Sequence, residues 1–255
     1  SILGNLLLVM GLSLLVGGLR HGVQRFDRSQ AGLDATMLIL AVIALAIPSL
    51  FGHSIEMVNH DAVEYLSLGV AGVMILVYVL GLAYSLRRPL PPIAQPHEEP
   101  KWSPAKAVTV LALSTLFVAW LSEVLVAVVE PALEHLGWSE FFLGIVIVPL
   151  VGNVAEHLAA VQVAAKDQMD LSLGISVGSS LQVALLVAPL LVFLSLAMGN
   201  PLTLVFNQFE LVALIAATMI TAVVALDGES NWREGVQLLV VYAILALAFF
   251  YLPLT

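Results

Sequence analysis

Apolar stretches of about the length needed to cross a bilayer recur at 1–19, 34–51, 65–86, 106–129, 140–165, 171–196, 208–226 and 235–253. A spanning helix takes roughly 17–25 such residues. Alternating polar and apolar residues would suit a membrane barrel, whereas these runs are long and continuously apolar, as helices that satisfy their own backbone groups require. With 60% hydrophobic and 11% charged residues, and a mean hydropathy of +1.03, the chain carries too much apolar surface for a domain folding in water. The expected class is an all-α polytopic membrane protein with about eight transmembrane helices, its body in a lipid bilayer. Cysteine is absent, which excludes disulfides and zinc thiolate sites. No basic patch points to nucleic acid, and nothing in the sequence sets an oligomeric state.

The Lys and Arg residues fall in alternate loops: Arg20, Arg25 and Arg28, then Arg87, Arg88, Lys101 and Lys106, then Lys166, then Arg233. By the positive-inside rule these loops are cytoplasmic. The intervening loops carry Glu56, Asp61 and Glu64, or Glu130, Glu134 and Glu140, and are expected outside. The count of eight fits, because one helix more or fewer would scramble the alternation. Residues 87–104, "RRPLPPIAQPHEEPKWSP", are proline-rich and charged, as suits a solvated cytoplasmic linker. They divide the chain into 1–86, with three helices, and 105–255, with five.

Setting "GSSLQVALLVAPL" (178–190) beside the opening "SILGNLLLVMGL" (1–12) aligns Ser179 with Ser1, Leu185 and Leu186 with Leu7 and Leu8, and Val187 with Val9. The two helices are five spans apart and therefore cross in opposite directions, the arrangement of an inverted repeat. On this reading Ser1 and Asn5 are the remnant of a first half-site. Its partner helix would lie upstream of Ser1, since the chain opens as though already inside a helix.

The second half-site is "VPLVGNVAEH". Pro149 and Gly152 interrupt the apolar run just ahead of Asn153 and Glu156, and in the next helix Gly174 and Gly178 precede Ser179, Ser180 and Gln182. Helices broken in mid-membrane expose backbone carbonyls and aim helix ends at an ion. Asn153, Glu156 and His157 stand at i, i+3 and i+4, and Ser179 and Gln182 at i and i+3, so each set shares a helix face. Together they offer one carboxylate, two amide oxygens and hydroxyls, a hard-oxygen set suited to Ca2+. A lone carboxylate at low dielectric favours its protonated form, and it is equally stable as an anion beside a divalent cation. Those two states exclude each other. A group that carries either protons or Ca2+, in a bundle of alternating access, couples the two fluxes. Asn153, Gln182, Ser180 and His157 also admit a plainer reading as interhelical hydrogen-bonders or small packing residues. Glu123, deep in "WLSEVLVAVVE", is a second candidate for proton coupling, or a helix cap. Glu210 sits where an acid complements a helix dipole.

The residues "VPLVGNVAEH" followed by "GSSLQVALLVAPLLV" resemble the second signature repeat of calcium/proton antiporters in the cation/calcium exchanger superfamily. "SILGNLLLVMG" is similar to the tail of that family's first repeat. The resemblance covers nearly the whole chain and implies a fold of about eleven helices in two inverted halves with an extra N-terminal helix. It implies that Glu156 is ligand and proton carrier, that Asn153 assists it, that Gly152 and Gly178 permit helix breaks, and that Ser179, Ser180 and Gln182 line the pathway. His157 matches a family position, and Ser1 the first-repeat serine. Two departures follow. A first Gly-Asn…Glu half-site is not present in these residues, leaving one central carboxylate, and the acidic segment between the halves is reduced to "HEE".

The expected activity is Ca2+/H+ exchange, with Ca2+ and H+ as transported partners and no cofactor. The resemblance fits a bacterial inner membrane and a vacuolar-type membrane equally. The alternatives are an exchanger for another divalent cation such as Mn2+, a passive cation channel, and an intramembrane hydrolase using Glu156 and His157. Against the last stands the lack of an HExxH pair or of a nucleophile beside a base.

Overall fold

Residues 1–56, 61–87 and 102–252 are described in the computed structural model; the body of the expected linker, with Arg88 and Lys101, lies outside the described residues. The chain opens in a π-helical segment, π1 (Gly4–Val9), that continues as α1 (Met10–His21), β1 (Gln24–Arg25), α2 (Arg28–Glu56) and α3 (Asp61–Arg87). After the linker come α4 (Pro104–Leu136), α5 (Glu140–Phe142), π2 (Leu143–Ile147), α6 (Val148–Gly152), α7 (Val154–Ala164) and α8 (Met169–Gln182). The chain then runs through π3 (Val183–Val187), α9 (Ala188–Ala197), α10 (Gln208–Ala225), β2 (Glu229–Ser230) and α11 (Trp232–Tyr251). Among the described residues seven helices are long and apolar enough to cross a membrane. The pair Leu143–Gly152 and Val154–Ala164, bent by 64°, makes an eighth span. The protein is an all-α polytopic membrane bundle of about eight spans.

Two of the three π segments have a visible cause. Proline lacks an N–H, and its ring clashes with the carbonyl four residues back. Counted back from Pro149 and Pro189, those carbonyls belong to Ile145 and Leu185, inside π2 and π3. Each helix widens by a turn there instead of breaking. When Ser179 is aligned with Ser1, π3 falls on Asn5–Val9 and therefore on π1. Both aligned helices thus carry the same rare turn at the same place, with Gly11 standing where Pro189 does.

The core gathers around α1 and π1. Leu6, Leu7, Met10 and Leu14 are buried, together with Leu38 and Leu45 of α2, Met74 of α3, Leu185 of π3 and Leu238 of α11. Helices α1 and α11 pack closely, because glycines let their backbones touch, as packing inside lipid favours. A Cβ at Gly235 would collide with the Leu15 amide and the Gly11 carbonyl, and one at Gly18 with the Trp232 backbone. By contrast, every side chain from Pro104 to Val128 on α4 is exposed.

The ends of the bundle are sealed by side chains acting on irregular backbone, which at membrane depth must be satisfied within the protein. The extended stretch after α9 is held by Ser49 and Ser67. The Ser49 hydroxyl donates to Leu204 O (3.2 Å) and accepts from Phe206 N (2.8 Å), and the Ser67 hydroxyl accepts from Leu204 N (3.1 Å). At the same end Trp138, Phe142, Phe250 and Tyr251 stack edge to face with centroids 5.1–5.5 Å apart, and Trp138 and Tyr251 carry the amphipathic rings typical of a membrane interface.

At the basic end, β1 pairs antiparallel with β2, Gln24 opposite Ser230 and Arg25 opposite Glu229. The same loop grips the α7–α8 turn. Gln24 Nε2 donates to Ala164 O (3.0 Å) and to Asp167 Oδ1 (2.8 Å), and the Asp27 amide donates to Asp170 Oδ1 (2.6 Å). Gln24 is 1% exposed and lies against Gly17, where any Cβ would collide with its Oε1. Replacing Gln24 with Ala removes a hydrogen bond to a charged group and opens a void, so a loss of about 2–3 kcal/mol is expected. The check is a lowered thermal midpoint of the purified protein.

Candidate functional site

The bent span delivers the chemistry. α6 ends at Gly152, and Asn153 takes φ −106°, ψ 17° between two helices that part at 64°. The break falls four residues after Pro149. Glu156 lies in the first turn of α7, near the positive end of that helix's dipole, which favours an anion. The Asn153 side chain does not cap its own helix. Instead its Nδ2 donates to Ser1 Oγ at 3.2 Å, which ties the broken span to the first residues of the opening helix. The residue aligned with Ser1 in the second half, Ser179, is half-buried on α8, with Gln182 exposed one turn further on.

Asn153, Glu156 and His157 separate in their surroundings. Asn153 is half-buried, Glu156 exposed and His157 buried, with no partner for His157 Nε2 among the described residues. The open side of α7 that carries Glu156 also carries Val154 and Leu158, 53% and 58% exposed. Ser1 additionally faces a cavity of about 230 Å³ lined by Leu3, Gly144, Val183, Leu214 and Glu210. Asn5 is buried on π1, its amide nitrogen without a partner among the described residues.

Three expectations are corrected. Gly178 breaks nothing: α8 is continuous from Met169 to Gln182, and the irregularity is the π turn after it. Glycine costs a helix only about 1 kcal/mol, which flanking turns absorb, whereas proline removes a hydrogen bond outright. Ser180 does not join Ser179 and Gln182. It is fully buried on the opposite face of α8 and donates to Ser176 O at 2.9 Å, as Ser176 does to Ser172 O at 3.1 Å. Glu123 caps no broken helix: it is exposed in the middle of the continuous α4. Glu210 is a helix cap: its Oε2 accepts from Asn207 N at 2.8 Å while Asn207 Oδ1 accepts from Phe209 N at 2.9 Å.

Among the described residues no three His, Cys, Asp or Glu side chains converge on a metal position. A cation here would be held by one carboxylate with amide and hydroxyl oxygens, a set for a hard ion that binds and leaves. One acid escaped the sequence reading. Asp34 stands six residues inside α2, at the first position of the apolar run 34–51, and any acid within a span is a candidate for function.

Apolar spans, paired π turns at matching places, and a carboxylate beside a mid-span break define a multi-pass membrane transport protein of inverted-repeat build. Residues 106–251 match the model of the sodium/calcium exchanger protein family, and the chain belongs to that family. It is 42% identical to a Ca(2+)/H(+) antiporter of Synechocystis and 43% identical to the Ca(2+)/H(+) antiporter ChaA of Bacillus subtilis, in each case across 99% of this chain and 73% of the relative. A vacuolar calcium ion transporter of Schizosaccharomyces pombe is 38% identical, with 63% of its length covered. Among solved structures, that of native YfkE superposes with a TM-score of 0.84 at 41% identity, over 99% of this chain and 73% of that one.

Proposed function

We propose that this protein is a secondary transporter that exchanges Ca2+ for H+ by alternating access, with Glu156 as the group for which the two cations compete. The observation that carries the reading is the Asn153–Ser1 hydrogen bond. It joins the broken span, one turn before Glu156, to the opening helix of the other half, so that movement between halves would reshape the surroundings of one carboxylate. The names of the antiporter relatives support the choice of cations. We assign 1–86 and 105–255 to the two repeats and 87–104 to their link. Glu156, Asn153, Ser179 and Gln182 are the Ca2+ ligands in this account, with Ser1 and Asn5 as the first-half counterpart. His157, buried beside Glu156, shapes the proton's side of the competition.

In proteoliposomes of the full-length protein, an imposed pH gradient is expected to drive Ca2+ in against protons moving out. Flux of Ca2+ with no opposing proton movement would mark a channel instead. The placement of the α8 side chains sharpens the test. Gln182→Ala should lower apparent Ca2+ affinity about tenfold, the cost of one oxygen ligand at roughly 1.4 kcal/mol. Ser180→Ala should leave that affinity unchanged, because its hydroxyl is engaged on the core face.

A further inference from the structure

The break at Asn153 leaves α7 without a continuous helix behind it to carry its direction on from α6. Its orientation depends on what grips it. At the near end the grip is the Asn153–Ser1 hydrogen bond, made to the residue that opens the first helix. At the far end, side chains from the close of that same helix supply it. His21 Nε2 donates to Ala165 O at 3.0 Å, and Gln24 Nε2 directs one hydrogen to Ala164 O and the other to Asp167 Oδ1. The last carbonyls of a helix lack partners within the ordinary ladder, and here the first half of the chain provides donors to two of them.

Gln24 is built into this contact. It is 1% exposed, in a niche left by Gly17, where an added Cβ would overlap its Oε1 and press within 3.1 Å of Ala164 O. The strand that carries it is pinned in turn, Gln24 pairing with Ser230 while the Phe26 amide donates to Gly228 O at 3.0 Å. Asp167 answers from the other side. Among the described residues it is the one non-glycine at positive φ, 60°, a conformation that Asp and Asn tolerate and glycine adopts most easily. Glycine would relieve the turn but offer Gln24 no carboxylate. The start of α8 is tied by the same loop, through the Asp27 amide to Asp170 Oδ1.

We propose that Gln24 is a positioning residue for the transport site: from the basic end it fixes the tilt and rotation of α7, and so the place at which Glu156 meets the ion. The proposal rests on the Ca2+/H+ reading. Glu156 lies eight residues before Ala164, about 12 Å along the helix axis, so a tilt at the gripped end moves the carboxylate at the other. A displacement of about 1 Å is enough to cost a positioned group much of its effect. Gln24 does not touch the ion. It acts through α7.

The test is the apparent KM for Ca2+ in pH-driven uptake by the full-length protein in proteoliposomes, read beside its thermal midpoint. Destabilisation alone lowers the midpoint and the amount of folded protein but leaves KM where it was. Gln24→Glu keeps the size of the side chain, removes both donors and sets a second carboxylate against Asp167. KM is expected to rise about five- to tenfold, up to the cost of one oxygen ligand. Adding Asp167→Asn exchanges donor and acceptor across the same contact and should recover most of that rise. Ser67→Ala, which removes a buried hydrogen bond at the opposite end of the bundle, should lower the midpoint with KM unchanged. An unchanged KM in Gln24→Glu overturns the positioning role, as does a rise that Asp167→Asn leaves in place or that Ser67→Ala matches. Where Gln24→Glu yields no folded protein, Gln24→Leu, apolar and of similar bulk, decides by the same measure: a raised KM supports the role and an unchanged one overturns it. Glu156→Gln keeps the two hypotheses apart. If uptake survives that substitution the exchange reading itself fails, whereas its loss there, with KM untouched at Gln24, removes only the positioning role.

Discussion

Glu156→Gln is expected to abolish pH-driven Ca2+ uptake while the protein still folds and inserts. The side chain stands on the open side of α7 and makes no hydrogen bond within its helix cap, so its amide loses charge without opening a core void. A divalent ion at 4 Å from a carboxylate gains about 2 kcal/mol even at the dielectric of water, and several times that in a less polar site. The drop in Ca2+ affinity is therefore at least about 30-fold. Gln also holds no exchangeable proton, so what Ca2+ still binds has nothing to trade against. Uptake is read as isotope accumulation against a pH gradient, with extraction yield and elution profile as the check on folding. Uptake at the unsubstituted rate removes Glu156 from the mechanism.

Gly235→Leu is expected to prevent assembly of the bundle. Even a methyl group there overlaps the Leu15 amide and comes within 2.6 Å of the Gly11 carbonyl. The obstacle is backbone on the facing helix, not a side chain that can turn away. Overpacking among side chains typically costs about 1–3 kcal/mol. Forcing α1 and α11 apart exceeds that, because it also loosens Leu14 and Leu238. Gly174→Ala is the contrast: a Cβ there meets no atom within 4 Å, and a helical Gly→Ala change gains up to about 1 kcal/mol. Detergent extraction followed by size-exclusion chromatography distinguishes the two. A monodisperse Gly235→Leu protein would show that the α1–α11 contact is not required.

The spans were legible because hydrocarbon leaves a chain little choice: eight apolar runs predict eight crossings, and the described residues form seven helices of that kind plus one bent pair. The break near Asn153 was legible from the cluster of Pro149, Gly152 and Asn153, although Pro149 alone gives only a π turn, as Pro189 does. Gly178 misled because glycine is tolerated wherever neighbouring turns hold. The faces of α8 were legible only in part. In a helix apolar nearly all round, the usual contrast between wet and dry sides is missing, so Ser179 and Ser180 look alike although one is half-buried and the other sealed against Ser176. The grip of Gln24 on the α7–α8 turn links residues 140 and 143 positions apart, and no local pattern encodes it. Asp34 was overlooked at a span boundary, where acids are common. Only the packed helices reveal that it borders a small gap beside Met10 and Leu173.

The competition between Ca2+ and protons is tested most directly by proton release. Purified full-length protein in weakly buffered solution is titrated with Ca2+ while pH is recorded and Ca2+ binding is measured in parallel. Protons are predicted to leave as Ca2+ binds, and the release is predicted to vanish in Glu156→Gln. Ca2+ binding with no proton release, or with the same release after that substitution, would contradict the account.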